Sequence, residues 1–204
     1  MKILFCLLTG YVFGLISPAA IISKIKNTDL RNVGTKNLGA TNTFLSVGKK
    51  FGVLVMVIDV LKSFFAYKLC RFLYPGLAIS GILAGIGAIL GHIFPFYMKF
   101  KGGKGLAAYA GLVLAHDPLI FLILLLICTT LMVVVNYSIA MPMSAAILFP
   151  ILCAIRTQSV LISLFALLAG VIIVISHFEI VLRIKRGEES KVRDVIKEKV
   201  FNIT

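Results

Sequence analysis

GLAAYAGLVLAHDPLIFLILLLICTTLMVVV, residues 105–135, is apolar from end to end except for His116-Asp117-Pro118 in its middle. Read as one helix through that interruption, the chain crosses a membrane six times; read as two segments, 105–115 and 118–135, it crosses seven times. Pro118 favours the break, because it cannot continue the hydrogen-bond ladder and it disfavours helical backbone at Asp117. The first segment is then about 17 Å long as a helix, too short for the whole hydrocarbon core. It is expected to lie partly inside the bilayer, shielded by neighbouring helices.

Charge gives the same answer. The apolar runs fall at 2–22, 51–73, 76–97, 105–115, 118–135, 139–155 and 160–182, followed by a basic tail over 183–204. With seven crossings, one side holds Lys24, Lys26, Arg31, Lys36, Lys49 and Lys50, then Lys99, Lys101 and Lys104, then Arg183, Lys185, Arg186, Lys191, Arg193, Lys197 and Lys199. The other side holds only Lys2, Lys68, Arg71 and Arg156. Six crossings would set the basic tail opposite the basic loops. The positive-inside rule therefore predicts an all-α polytopic membrane protein of about seven transmembrane helices, N-terminus outside and C-terminus cytoplasmic.

The 204 residues are 60% hydrophobic and 14% charged, which excludes an ordinary soluble domain. The runs do not alternate, so a β-barrel is excluded as well. The net charge of +13 is assigned to topology rather than to nucleic acid, since no aromatic stacking platform accompanies it. The opening MKILFCLLTGYVFGLISPAA has signal-peptide features but continues into further membrane sequence, and is read as an uncleaved first span. Cys6, Cys70, Cys128 and Cys153 have no paired spacing and are expected to be inert packing residues. No internal repeat or soluble module interrupts residues 1–204, which are read as a single domain.

Two polar interruptions are candidates for chemistry. KFKGGKGLAAYAG, residues 99–111, sets Gly102, Gly103, Lys104 and Gly105 before a helix. Glycines let backbone N–H groups turn toward a ligand, helix N-termini attract anions, and Lys104 adds a mobile charge. The stretch is not a Walker A loop, and a basic loop that only sets topology explains its lysines equally well. DLRNVGTKNLGATNTFLSVGKK, residues 29–50, is rich in neutral hydrogen-bonding groups: Asn32, Thr35, Asn37, Thr41, Asn42, Thr43 and Ser46, with Gly34 and Gly39. Such groups suit an oxygen-rich ligand, and the mixture with Leu38, Ala40, Phe44 and Leu45 suggests a re-entrant lining loop rather than a flexible linker. Asp59 and Lys62 share a helix face and are expected to pair. His92 and His177 sit near the ends of spans and His116 on an outer turn. No carboxylate cluster suits Mg²⁺, no Cys/His set suits zinc, and no GxSxG marks a serine nucleophile.

In order and spacing, DLRNVGTKNLGATN, GHIFPFYMKFKGGKGLAAYAG and SHFEIVLRIKRGEE resemble the three cytoplasmic motifs of the bacterial acyl-phosphate:glycerol-3-phosphate acyltransferases. The resemblance implies a seven-helix inner-membrane enzyme that moves an acyl group from acyl phosphate to glycerol 3-phosphate, giving lysophosphatidic acid and phosphate. It implies catalytic roles for Lys104, His177 and Asn37, with His177 contacting glycerol 3-phosphate. It also implies substrate binding by Thr35, Lys36, Gly39, Thr41, Asn42, Gly102, Gly103 and Gly105. The partners are then the two substrates and membrane lipids, with no nucleic acid, no cofactor, no metal and a monomeric chain. Some positions depart from the pattern: Thr35-Lys36 where Ser-Gly is usual, Leu45 and Asn136 where arginine is usual, Pro142 for serine and Ile180 for asparagine. Lys36 is positioned in sequence to supply a charge in place of the missing arginine. Two rival readings are a repurposed paralogue that keeps the phosphate loop and a small anion or lipid transporter; the latter should show inverted repeats or matching broken helices, and only one broken helix is found.

Overall fold

The computed structural model describes residues 1–200, the last two without their side chains, and all regular structure among them is helical. The helices are α1 (Lys2–Gly14), α2 (Pro18–Ile25), α3 (Ala40–Ser46), α4 (Lys49–Leu73), α5 (Ser80–Ile93), α6 (Leu106–His116), α7 (Pro118–Val135), α8 (Ala140–Thr157), α9 (Val160–Lys185) and α10 (Val192–Val200), with one 3₁₀ turn at Phe96–Met98. Residues 201–204 of the expected tail lie outside the described residues. Five stretches are long and apolar enough to cross a bilayer: Lys2–Ile25, Ser80–Met98, Pro118–Val135, Ala140–Thr157 and Val160–Lys185. The 25-residue α4, with Asp59 and Lys62 along its length, is not among them, and α6 has 11 residues. The chain is a multi-pass membrane protein.

The decisive interruption is a break. Asp117 is extended, with φ −151° and ψ 112°, and Pro118 opens α7 at the helix position where a missing N–H is harmless. The first apolar run is not one helix, however. It divides after Gly14, and Ser17 accepts a hydrogen bond from the Ala20 N–H at 3.4 Å to cap α2, with Pro18 at its first position. The loop after α2 also contains a helix, α3, that its polar composition hid.

The chain falls into two units, Met1–Pro118 and Leu119–Thr204. In the first, α5 is buried along almost its whole length, with α1, α4 and α6 packed on it. α1 and α5 meet backbone to backbone: a Cβ on Gly10 would strike the Ala84 carbonyl, and one on Gly87 would strike that of Leu7. Between membrane helices, close approach of this kind replaces the hydrophobic drive that lipid removes. The apolar side chains left outside, such as Leu8, Phe65 and Phe72, are those a bilayer solvates.

In the second unit α8 packs on α9, with Gly170 against the Ala146 backbone. Hydroxyls there bond back into their own helices: Thr130 to Leu126 at 2.8 Å, Ser144 to Ala140 at 2.6 Å and Thr157 to Cys153 at 2.8 Å. Each polar group thus finds a partner where water is absent. Pro142 sits in the first turn of α8, where no intrahelical N–H is needed. All four cysteines are free and buried.

Candidate active site in the first unit

The Asn/Thr-rich loop is held from inside by apolar plugs and by one amide. Leu30 and Leu38 are buried with Ala19 and Ile22 of α2 and Val55 of α4. Asn42, in α3, is fully buried and makes four hydrogen bonds: Nδ2 donates to the carbonyls of Leu30 (2.7 Å) and Asn37 (2.9 Å), and Oδ1 accepts from the Thr35 N–H (2.8 Å) and the Ser46 hydroxyl (3.2 Å). A carboxamide has two donors and two acceptor positions, so Asn42 is saturated by the protein. These bonds engage its side chain in shaping the loop. Gly34, at φ +57°, lies against Asn42 Oδ1, where a side chain would be both strained and obstructed. The remaining candidates, Thr35, Lys36, Asn37, Gly39 and Thr41, run along the outer side of this turn, with Lys36 and Thr41 exposed.

The glycine loop behaves differently from the simple expectation too. After the 3₁₀ turn, Lys99 and Phe100 are both left-handed, at φ +55° and +58°, an arrangement that costs side-chain-bearing residues on the order of 1 kcal/mol each. The bend folds the chain back onto the end of α5. There Gly102 N–H donates to the Ile93 carbonyl at 2.9 Å and Gly103 N–H to the His92 carbonyl at 3.1 Å. These two amides are therefore occupied by α5. The glycines are needed because a Cβ on Gly102 would strike the His92 carbonyl, and one on Gly103 the His92 ring and, at 2.5 Å, the Leu38 carbonyl. N–H groups not taken by the α5 carbonyls begin with the next turn. Gly105, left-handed at φ +84°, caps α6, whose first N–H groups have no carbonyl within the helix, and Lys104 stands half-buried immediately before them.

The two loops meet. Arg31 donates to the Lys101 carbonyl at 2.8 Å, and the Leu38 carbonyl lies under Gly103. Thr35, Lys36, Asn37, Gly39, Asn42, Gly102, Gly103, Lys104 and Gly105 are thus brought together in the first unit, with Arg31 as a tie that the motif reading passed over. Beneath them the expected Asp59–Lys62 pair forms, at 2.7 Å, and a third member joins it: Lys62 Nζ is 2.8 Å from Nδ1 of His92. Nothing in sequence spacing connects His92 to α4.

In the second unit, His177 is buried in α9 with Nδ1 2.9 Å from the carbonyl of Ile173. A carbonyl only accepts, so Nδ1 carries a proton. Ile180, buried one turn further along the same helix, offers no polar group. Asn136 stands left-handed at φ +64°, a conformation asparagine tolerates, and receives the start of α10: its carbonyl accepts from Val192 N–H at 3.1 Å and its side chain from Arg193 N–H at 2.8 Å. Where the family pattern has arginine, this chain has a helix cap. No group of three or more metal-ligating side chains occurs among the described residues.

The family model for glycerol-3-phosphate acyltransferase matches residues 4–187. The glycerol-3-phosphate acyltransferase of Macrococcus caseolyticus is 36% identical over 197 residues, covering 95% of this chain and 98% of that protein. That of Staphylococcus aureus strain Newman is 34% identical, covering 95% and 99%. Among solved structures, PlsY (YgiH), an integral membrane glycerol 3-phosphate acyltransferase, matches in its glycerol 3-phosphate form with a TM-score of 0.86 and 32% identity over 94% of this chain and 96% of that one. Its lysophosphatidic acid form matches with a TM-score of 0.81 at 30% identity, covering 94% and 95%. With sequence motifs, helix order and near-complete coverage in agreement, the chain belongs to the glycerol-3-phosphate acyltransferase family.

Proposed function

We propose that this protein transfers an acyl group from acyl phosphate to a hydroxyl of glycerol 3-phosphate at the cytoplasmic face of the bacterial inner membrane, with seven crossings and the N-terminus outside. The observation that carries the reading is the junction of the two loops, where Arg31 and Leu38 fasten the Asn/Thr turn to the glycine loop directly before Lys104 and the open end of α6. The helix end and Lys104 hold phosphate, while Thr35, Lys36, Asn37, Gly39 and Thr41 line the oxygen-rich substrate. Lys36 supplies a charge that Leu45 does not. His177, which the third motif supplies, contacts glycerol 3-phosphate.

In the reaction the glycerol hydroxyl attacks the acyl carbonyl carbon, the bond from that carbon to the phosphate oxygen breaks, and inorganic phosphate leaves. The hydroxyl proton passes to a substrate phosphate oxygen, so the protein need not provide a nucleophile. Its contribution is positioning and stabilisation of the charge that develops on oxygen. Purified protein incubated with acyl phosphate and labelled glycerol 3-phosphate should form labelled lysophosphatidic acid. Binding of either substrate without product would leave a phosphate-binding paralogue instead.

A further inference from the structure

We infer that Asp59, Lys62 and His92 form a buried positioning cluster that sets the height of the glycine loop, and hence of Lys104, for binding glycerol 3-phosphate. The inference rests on the reading of that loop as a phosphate site.

The cluster is built around a single ammonium. Three groups lie against Lys62 Nζ: the Ile16 carbonyl accepts from it at 2.7 Å, Asp59 Oδ1 forms an ion pair with it at 2.7 Å, and His92 Nδ1 is 2.8 Å away. They come from the α1–α2 connection, from α4 and from α5, so one buried cation fixes three elements to one another. Asp59 and Lys62 are 1% and 4% exposed, and His92 is 7% exposed. Nδ1 of His92 also lies 3.3 Å from Asp59 Oδ1, so the ammonium and the carboxylate together bracket one edge of the ring and fix its orientation, with Nε2 on the opposite edge. Nε2 is the atom on which Gly103 rests, and the His92 carbonyl receives the Gly103 N–H. The next carbonyl, of Ile93, receives that of Gly102. Displacing the His92 ring therefore displaces Gly103 and the residue that follows it, Lys104.

A purely stabilising role explains this poorly. Buried ion pairs seldom outperform well-packed apolar residues of the same size, and α4 could carry such residues at both positions. What the charges add is direction: they orient an imidazole whose other edge is the floor of a loop that has no side chains of its own at Gly102 and Gly103. A misplacement on the order of 1 Å in a substrate-holding group is enough to cost one to two orders of magnitude.

The test compares Lys62→Met with the charge-balanced double variant Asp59→Asn/Lys62→Met and with His92→Gln, in detergent-purified full-length protein. Lys62→Met alone should lower the apparent Tm, since it strands a buried carboxylate. The double variant should recover most of that loss, yet raise KM for glycerol 3-phosphate about tenfold with kcat changed by less than about threefold. His92→Gln should give a similar rise, and adding it to the double variant should give little more, because both act through one ring. A double variant with native Tm and native KM overturns the inference, as does a multiplicative effect of His92→Gln. Should the double variant fail to fold, His92→Gln decides alone: a folded protein with unchanged KM overturns it. If the unaltered protein forms no lysophosphatidic acid, the acyltransferase reading fails separately, and the positioning role is then read from the same fold-change in Kd for glycerol 3-phosphate.

Discussion

Asn42→Ala separates a scaffold from a ligand. The substitution removes two donors and two acceptor positions at once, leaving the Leu30 and Asn37 carbonyls, the Thr35 N–H and the Ser46 hydroxyl without this partner. At about 0.5–1.5 kcal/mol net for each hydrogen bond, the loss is bounded at about 2–6 kcal/mol. Thr35, Asn37 and Ser46 are only partly buried and regain some hydration, whereas Leu30 is fully buried, so we expect a value near 3 kcal/mol. For a chain of this size that corresponds to a fall in apparent Tm of about 6–12 °C, measured by thermal unfolding in detergent. Asn42→Asp should be no better, because it keeps the acceptors but turns a carboxylate oxygen toward two carbonyls. Activity should fall with stability and return partly on cooling. An Asn42→Ala protein with native Tm and no turnover would refute the reasoning and restore Asn42 as a substrate ligand.

Lys104→Ala should remove lysophosphatidic acid formation while shifting Tm by less than about 2 °C, and Lys99→Ala, on the strained bend before the glycines, should reduce activity far less; equal and mild effects would reduce the loop to a topology signal. Cysteines placed singly at Lys36, Lys101 and Lys191 should react with a membrane-impermeant thiol reagent only from the cytoplasmic side, and labelling of Lys36 and Lys191 from opposite sides would restore six crossings.

The break at Asp117-Pro118 was legible because proline acts locally and the charge distribution acts globally, and the two agree. The start of α6 after Gly105 was legible from the glycines that precede its apolar run. The division after Gly14 was written in Ser17-Pro18, a cap followed by a first-turn proline, but the apolar run around it masked the signal. The motif glycines were found but not the direction of their amides: whether a glycine amide points at a ligand or at a carbonyl depends on where the end of α5 lies, which no spacing conveys. Asn42 stood among several similar polar residues, and only its burial distinguishes it. His92 had no sequence partner at all, since Asp59 and Lys62 reach it through the packing of α4 on α5. Asn136 read as a lost arginine, whereas in the second unit it is the cap on which α10 begins.

The backbone contact of Gly10 with Ala84 also carries a consequence for biogenesis. Its two sides are separated in sequence by 84 − 10 = 74 residues, so at about 5–20 residues per second the ribosome needs roughly 4–15 s to supply the second after the first. Throughout that interval α1 presents a glycine face meant for α5, while α5 has not yet been made. Lipid cannot fill such a groove as closely as a helix does, so the insertion machinery, or another small-faced helix nearby, becomes its temporary neighbour. Substituting a larger residue at Gly10 would then do harm twice: it would bar the final fit, and it would alter which companion α1 keeps while it waits.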